Sequence, residues 1–381
     1  MKLELIATAT FGLEAVVKRE IEALGYKIIR SEDAKITYMG DERAIARSNL
    51  WLRSADRVLL KMGEFKALEF EDLFQQTKAV AWEDIIPADG KFTVTGTSVK
   101  SKLHSVPACQ SIVKKAIVER LGSFYCIDRF EETGAEYTVK VTILKDRVTL
   151  TIDTSGTGLH KRGYRVCDVA APIKETLAAA MVQLSFWKAG RLLVDPCCGS
   201  GTIPIEAAMI GRNIAPGLNR KFASQEWDII PPEIWKEERK AAFEAIDYDA
   251  DIRIEASDIS GRAVEAAIEN AAEAGVDDCV EFKKMDMARL TAEEEGGIII
   301  TNPPYGERLG DRRAADAVAR ALGRLAAAQS EAAMGVITSN ANFEREFGRR
   351  ADKRRRLYNG RLECEFLMYD RASFRARRKH K

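Results

Sequence analysis

Residues 192–202, LLVDPCCGSGT, decide the fold. A short apolar run ends in Asp195, a loop with two glycines follows, and a helical stretch begins at Thr202. Gly199 and Gly201 let the backbone turn sharply and approach a ligand without a Cβ in the way. A dinucleotide fingerprint needs a third glycine three positions after Gly201, where Pro204 stands, and a phosphate loop needs a Gly-Lys-Ser/Thr triplet, which is missing. The loop therefore suits a ligand that wants close backbone contact without a phosphate.

Working outward, RIEASD (253–258), CVEFKKMD (279–286), GIIIT (297–301) and MGVITS (334–339) are short strand-like segments separated by helical stretches. That alternation predicts right-handed crossovers and a mostly parallel, doubly wound α/β sheet. KRRRLYNG (353–360) and ECEFLMYD (363–370) lie too close together for a crossover and predict a late antiparallel hairpin. Asp258 and Asp286 end the second and third strands. At the carboxyl edge of such a sheet, Asp258 can accept the two hydroxyls of a ribose and Asp286 can hold an adenine amino group. An aspartate there also serves as a helix N-cap, and Asp258 can do both. S-adenosylmethionine fits these positions as cofactor. Cys197 and Cys198 are read as small loop residues rather than a metal or redox pair.

Asn302-Pro303-Pro304-Tyr305 follows the fourth strand. The prolines fix the backbone and remove two donors, leaving the Asn302 side-chain oxygen and the Pro303 carbonyl as acceptors aimed at one point. An exocyclic base amine offers two N–H groups to such a pair, and gripping both turns its lone pair outward. Tyr305 can stack on the base, and transfer then needs orientation more than a strong base. The target base must leave its stack or be unpaired already.

The N-terminal half obeys another grammar. LELIATAT (3–10), FGLEAVVKREIEALG (11–25) and YKIIR (26–30) read strand, helix, strand, with Gly25 placed as a C′ glycine. Further helices and strands continue to residue 155, with a hairpin turn at Lys145-Asp146. Gly156 and Gly158 mark a boundary. Balanced charge (59 Lys+Arg against 58 Asp+Glu, net +1) excludes a histone-like polycation but not a local basic stripe. Seven cysteines without a CxxC pair and three histidines argue against a disulfide framework or a zinc site. No stretch approaches the length of a membrane span, so the expectation is a cytoplasmic protein without membrane or metal partners.

At these residues the chain resembles the amino methyltransferases of class I fold that carry the (N/D)PP(Y/F/W) motif. More narrowly, DPCCGSGT, TNPPYGERLG, LHKRGYR (159–165), APIKETLAAAMV (171–182) and TSVKSKLHSVPACQSIVKKAIVERL (97–121) resemble the THUMP-containing bacterial 23S rRNA guanine-N2 methyltransferases. Members are often labelled as adenine-specific DNA methylases. The resemblance covers essentially the whole chain. It implies a ferredoxin-like domain at 1–65, a THUMP RNA-binding domain at 66–158, a linker at 159–170 and a methyltransferase domain at 171–381 with an insertion at about 212–250. It further implies that Asp195, Cys197, Gly199, Gly201, Thr202, Asp258 and Asp286 hold S-adenosylmethionine, with Lys174, Glu175 and Thr176 flanking its amino-acid end. Asn302, Pro303, Pro304 and Tyr305 would hold the base. Trp227 and Trp235 of the insertion are core residues or substrate-side residues.

Lys100, Lys102, His104, Lys114 and Lys115, then Lys161, Arg162 and Arg165, then Arg345 to Arg356 form basic clusters. The last of these runs into a basic tail, RASFRARRKHK (371–381). They predict a phosphate-binding path for structured RNA, rRNA before tRNA. Competing readings are an adenine-N6 DNA methyltransferase, a tRNA guanine-N2 methyltransferase, and an RNA-binding assembly factor with a vestigial cofactor pocket.

Overall fold

The computed structural model describes residues 1–167, 172–290, 297–306, 311–328 and 332–370. The basic tail, residues 307–310 and part of the linker lie outside them. The chain divides into two compact units, Met1–Ala9 with Val17–Leu159 and Arg220–Ala241, and Thr10–Val16 with His160–Asn219 and Ala242–Lys381.

The first unit is built on one seven-stranded sheet. Its strands are β1 (Leu3–Ala9), β2 (Lys27–Glu32), β3 (Lys35–Gly40), β4 (Ala55–Lys66), β5 (Lys91–Val99), β6 (Glu136–Leu144) and β7 (Arg147–Asp153), in the order β2-β3-β1-β4-β7-β6-β5. Helices α1 (Glu14–Ala23), α2 (Glu42–Trp51), α3 (Phe70–Lys78) and α4 (Val106–Tyr125) alternate with the strands. The expected ferredoxin-like and THUMP halves thus share a single sheet, joined where β4 pairs antiparallel with β7. The β6–β7 hairpin turns on Lys145 (φ 51°) and Asp146 (φ 63°), the left-handed pair that a two-residue turn between twisted strands requires. Gly25 ends α1 at φ +87°, with the Tyr26 amide donating to the Ile21 carbonyl, a Schellman closure.

Residues 220–241 belong to this unit although they interrupt the second in sequence. Trp227 stacks on Tyr137 at 4.9 Å and donates to the Glu136 carbonyl. Phe222 stacks on Trp235 at 5.3 Å. The Glu238 carboxylate, almost wholly buried, accepts from both Arg43 (2.9 Å) and Arg47 (2.7 Å). Both tryptophans are core residues.

The second unit holds the other seven-stranded sheet. Helices α5 (Glu175–Leu184) and α6 (Thr202–Gly211) flank β8 (Leu193–Asp195); after α7 (Pro232–Glu244), most of which belongs to the first unit, come β9 (Ile254–Asp258), α8 (Gly261–Glu273), β10 (Val280–Lys284) and β11 (Ile298–Thr301). Helix α9 (Asp311–Ala328), β12 (Ala333–Thr338), α10 (Phe343–Phe347), β13 (Lys353–Asn359) and β14 (Leu362–Tyr369) complete it. The order is β10-β9-β8-β11-β12-β14-β13. Strands β8 to β12 pair in parallel, and β14 runs antiparallel between β12 and β13. The winding reverses at β8, so a crevice opens beyond the carboxyl ends of β8, β9 and β11. Among the described residues no helix is long and apolar enough to cross a membrane.

Candidate active site

A cleft of about 820 Å³ occupies that crevice, a size suited to a small ligand together with a reacting group. Asp195, Cys197 and Gly199 line it from the glycine loop, with Thr202 at the start of α6; Asp258 and Asp286 line it from the ends of β9 and β10, and Asn302, Pro303, Pro304 and Tyr305 from the end of β11. These residues, singled out by sequence, therefore face one space. Lys174 does too, whereas Glu175 and Thr176 are buried in α5 and do not line the cleft.

The glycine loop is tied to its neighbours by carboxylates. Asp258 accepts the Gly199 amide on Oδ2 (3.0 Å) and the Ser260 amide on Oδ1 (2.9 Å). The N-cap of α8 is Ser260, which accepts from the Ala263 amide (3.3 Å), so Asp258 is not the cap. Asp286 caps a short 3₁₀ turn by accepting the Ala288 amide at 2.9 Å. Gly199 adopts φ +54° and faces the cleft. Gly201 does not line it: at φ +81° it starts α6, and a Cβ there would sit 3.0 Å from Cβ of Ala267 on α8. Its smallness serves helix packing and a left-handed turn.

Asp195 is buried at the end of β8, where Oδ1 accepts from the Thr301 hydroxyl (2.7 Å) and the Cys197 amide (3.2 Å). Burial pushes its carboxyl up to about 7, and nearby Asp258 adds to the rise, against the pull of the Thr301 and Cys197 donors. Burial and the surrounding carboxylates also push the Cys197 and Cys198 thiols up, so both stay protonated and inert. Tyr305 turns its hydroxyl onto Asn302 Oδ1.

Of two arginines expected on an RNA surface, Arg162 is buried and Arg165 is half-buried. Arg162 is buried and paired with Glu206 (3.2 Å), which also accepts from the Tyr164 hydroxyl (3.1 Å). Arg165 donates to Glu175 Oε1 (2.8 Å), Ser200 Oγ (3.2 Å), the Ile173 carbonyl (3.1 Å) and Thr202 Oγ1 (3.0 Å). It therefore clamps the start of α5 to the glycine loop. Nothing in single-residue composition separates a solvated arginine from one that staples loops.

Lys100, Lys102, Lys114, Lys115 and Lys161 are on the surface, as expected for a basic face. Lys114 and Lys115 rest over the rings of Phe92 (5.8 Å) and Phe74 (5.5 Å), and Lys115 also pairs with Glu119 (3.8 Å). The Arg345–Arg356 cluster is largely self-neutralised: Arg345 pairs with Glu346, Arg349 with Asp352, Arg354 with Glu344 and Arg356 with Glu363. The cleft also has a wall that motif reading missed. Asn359, Gly360 and Leu362, from the β13–β14 hairpin, line it beside the tetrapeptide.

Three family descriptions match this chain: a RMKL-like methyltransferase domain over residues 162–367, an RlmL ferredoxin-like domain over 4–59 and a THUMP domain over 67–153. A protein of Bacillus subtilis whose name describes an RNA methyltransferase, YpsC, is 50% identical over 370 residues, covering 97% of this chain and 96% of the relative. The ribosomal RNA large subunit methyltransferase K/L of Syntrophotalea carbinolica is 34% identical; it covers 98% of this chain, which spans 54% of that longer relative. The solved structure of the methyltransferase SMU.472, complexed with SAH, superposes with a TM-score of 0.92 at 43% identity, covering 97% of this chain and 98% of the other.

Proposed function

The chain belongs to the RMKL-like methyltransferase family with ferredoxin-like and THUMP domains, and from that premise we propose that it methylates an exocyclic base amine of structured RNA, guanine N2 of large-subunit rRNA, using S-adenosylmethionine. One observation carries the reading: Asn302-Pro303-Pro304-Tyr305 and the glycine loop line the same cleft.

The cleft fits that cofactor by charge. Its lining carries Asp258, Asp286 and the partly ionised Asp195 against one lysine, Lys174, which disfavours a phosphate and favours a cation. Asp258 and Asp286 would hold the nucleoside end, and Lys174 with the glycine loop the amino-acid end. When bound, the cofactor supplies an electrophilic methyl on a sulfonium. Asn302 Oδ1 and the Pro303 carbonyl accept the two amine hydrogens, turn the nitrogen lone pair toward the methyl and give the released proton a path to solvent. No side chain has to act as a strong base, because orientation supplies most of the rate. Tyr305 stacks on the extruded base.

The THUMP match and the surface lysines of the first unit support RNA over DNA as the substrate. The relative named for large-subunit rRNA supports ribosomal over transfer RNA. The test is incubation of purified protein and labelled S-adenosylmethionine with rRNA, tRNA and DNA separately, then nucleoside analysis. The expected product is N2-methylguanosine from rRNA, abolished by Asn302→Ala. Label in N6-methyladenine of DNA overturns the substrate assignment.

A further inference from the structure

We propose that Asn359, at the turn of the β13–β14 hairpin, is the residue that reads the ring edge of the target base and selects guanine; this rests on the guanine-N2 reading above. The antiparallel course of β14 puts this turn where the ligand is. Thr338, the last residue of β12, pairs with Glu365, so Leu362 and the turn project about 10 Å past the carboxyl end of β12, at ~3.3 Å per residue. Asn359 and Leu362 are the last paired residues, and Gly360 takes φ +65° between them, as a two-residue loop needs. Both paired residues line the cleft that the tetrapeptide lines.

The hairpin is held in place from behind. The Glu363 carboxylate accepts from Tyr358 (3.0 Å) and pairs with Arg356 (3.3 Å). Tyr358 meets Phe11 edge-on at 6.1 Å, and Arg355 donates to the Gly12 carbonyl at 3.0 Å. Against that bracing, the Asn359 side-chain amide has no hydrogen-bond partner among the described residues. An unpaired amide on a braced turn that lines a base-sized cleft has one carbonyl and one NH₂ to offer.

That pair matches guanine. With the N2 amine gripped by Asn302 and Pro303, the neighbouring ring edge presents N1–H, a donor, and O6, an acceptor. The Asn359 oxygen accepts N1–H while its NH₂ donates to O6. Adenine, gripped by its N6 amine, presents N1 as an acceptor beside it and leaves the Asn359 oxygen without a donor. A buried polar group left unpaired penalises the wrong base.

The experiment has two arms. First, wild-type protein is incubated with rRNA and labelled S-adenosylmethionine and the modified nucleotide is mapped; no N2-methylguanosine overturns the guanine reading and this inference with it. Second, transcripts carrying guanine or 2-aminopurine at the mapped position are compared for wild type, Asn359→Ala and Asn359→Asp. 2-Aminopurine keeps the reacting amine but lacks O6 and N1–H. Wild type is expected to prefer guanine in kcat/KM by roughly 10- to 100-fold, a preference that Asn359→Ala abolishes with unchanged S-adenosylhomocysteine affinity. Asn359→Asp keeps the acceptor for N1–H and retains part of it. Equal guanine preference in wild type and Asn359→Ala overturns the inference while leaving the first arm's result standing.

Discussion

The Tyr305 hydroxyl donates to Asn302 Oδ1, so the tetrapeptide's own aromatic residue occupies the acceptor that the proposed function assigns to a substrate amine. An entering amine exchanges its N–H for that O–H, and the freed ring becomes available to stack. Tyr305→Phe removes the competing donor and keeps the ring, so kcat/KM is expected within about threefold of wild type. Tyr305→Ala removes the stacking face and is expected to lower it about 10- to 100-fold. Initial rates of methyl transfer to RNA check both; equal losses in the two variants would assign the role to the hydroxyl.

Asp195 makes a stability prediction with a definite sign. Its carboxyl titrates near 7 in the folded protein against an ordinary 3.8, so the folded state binds more protons than the unfolded state between those values. The cost of the buried charge grows as pH rises through that window and is full above 7. Asp195→Asn keeps an oxygen for Thr301 and Cys197 and removes the charge. Its gain in Tm over wild type is expected to be larger at pH 8 than at pH 5, read by thermal melts. The same substitution is expected to weaken binding of the cationic cofactor most at pH 8, read by calorimetry.

Much of this site is legible in the sequence because chain punctuation reports it. DPCCGSGT and NPPY each follow an apolar strand, and the parallel strands of a doubly wound sheet bring their carboxyl ends to the same edge, so linear order alone gathers Asp195, Asp258, Asp286 and Asn302. What is not legible depends on neighbours distant in sequence. Arg165 reads like Lys161 until Glu175, Ser200 and Thr202 surround it. Gly201 reads like Gly199 until Ala267 packs against it. Residues 220–241 read as an insertion in the second domain, yet Trp227 and Glu238 find their partners at Tyr137, Arg43 and Arg47. Asn359 stays hidden in the sequence because only the register of β14 shows where its turn projects.

The clamp and the lysine surface are separable by experiment. Arg165→Ala removes four hydrogen bonds that hold the start of α5 against the glycine loop, and is expected to weaken S-adenosylhomocysteine binding about 10-fold or more with little change in RNA affinity. Lys114→Ala with Lys115→Ala is expected to do the reverse, lowering RNA affinity and reducing the slope of log K against log salt by about 1 for each phosphate no longer neutralised. Fluorescence titrations with both ligands at several salt concentrations distinguish the two; an RNA defect confined to Arg165→Ala would restore it to the phosphate surface.

Arg162 supplies the last contrast, between a charge that meets a ligand and one that holds a fold. The Arg162 and Glu206 side chains are 2% and 0% exposed, so removing the arginine leaves a carboxylate in the interior with the Tyr164 hydroxyl as its other side-chain partner. Breaking a buried pair from one side costs about 3–5 kcal/mol, more than the pair itself contributes, because the orphaned charge stays desolvated. Arg162→Ala is therefore expected to lose stability on that scale in urea unfolding, while Arg162→Met with Glu206→Leu, which removes both charges, recovers most of it. RNA affinity of the folded double variant is expected to equal that of wild type. A double variant that folds as well as wild type but binds RNA several-fold more weakly would show that Arg162 reaches phosphate after all.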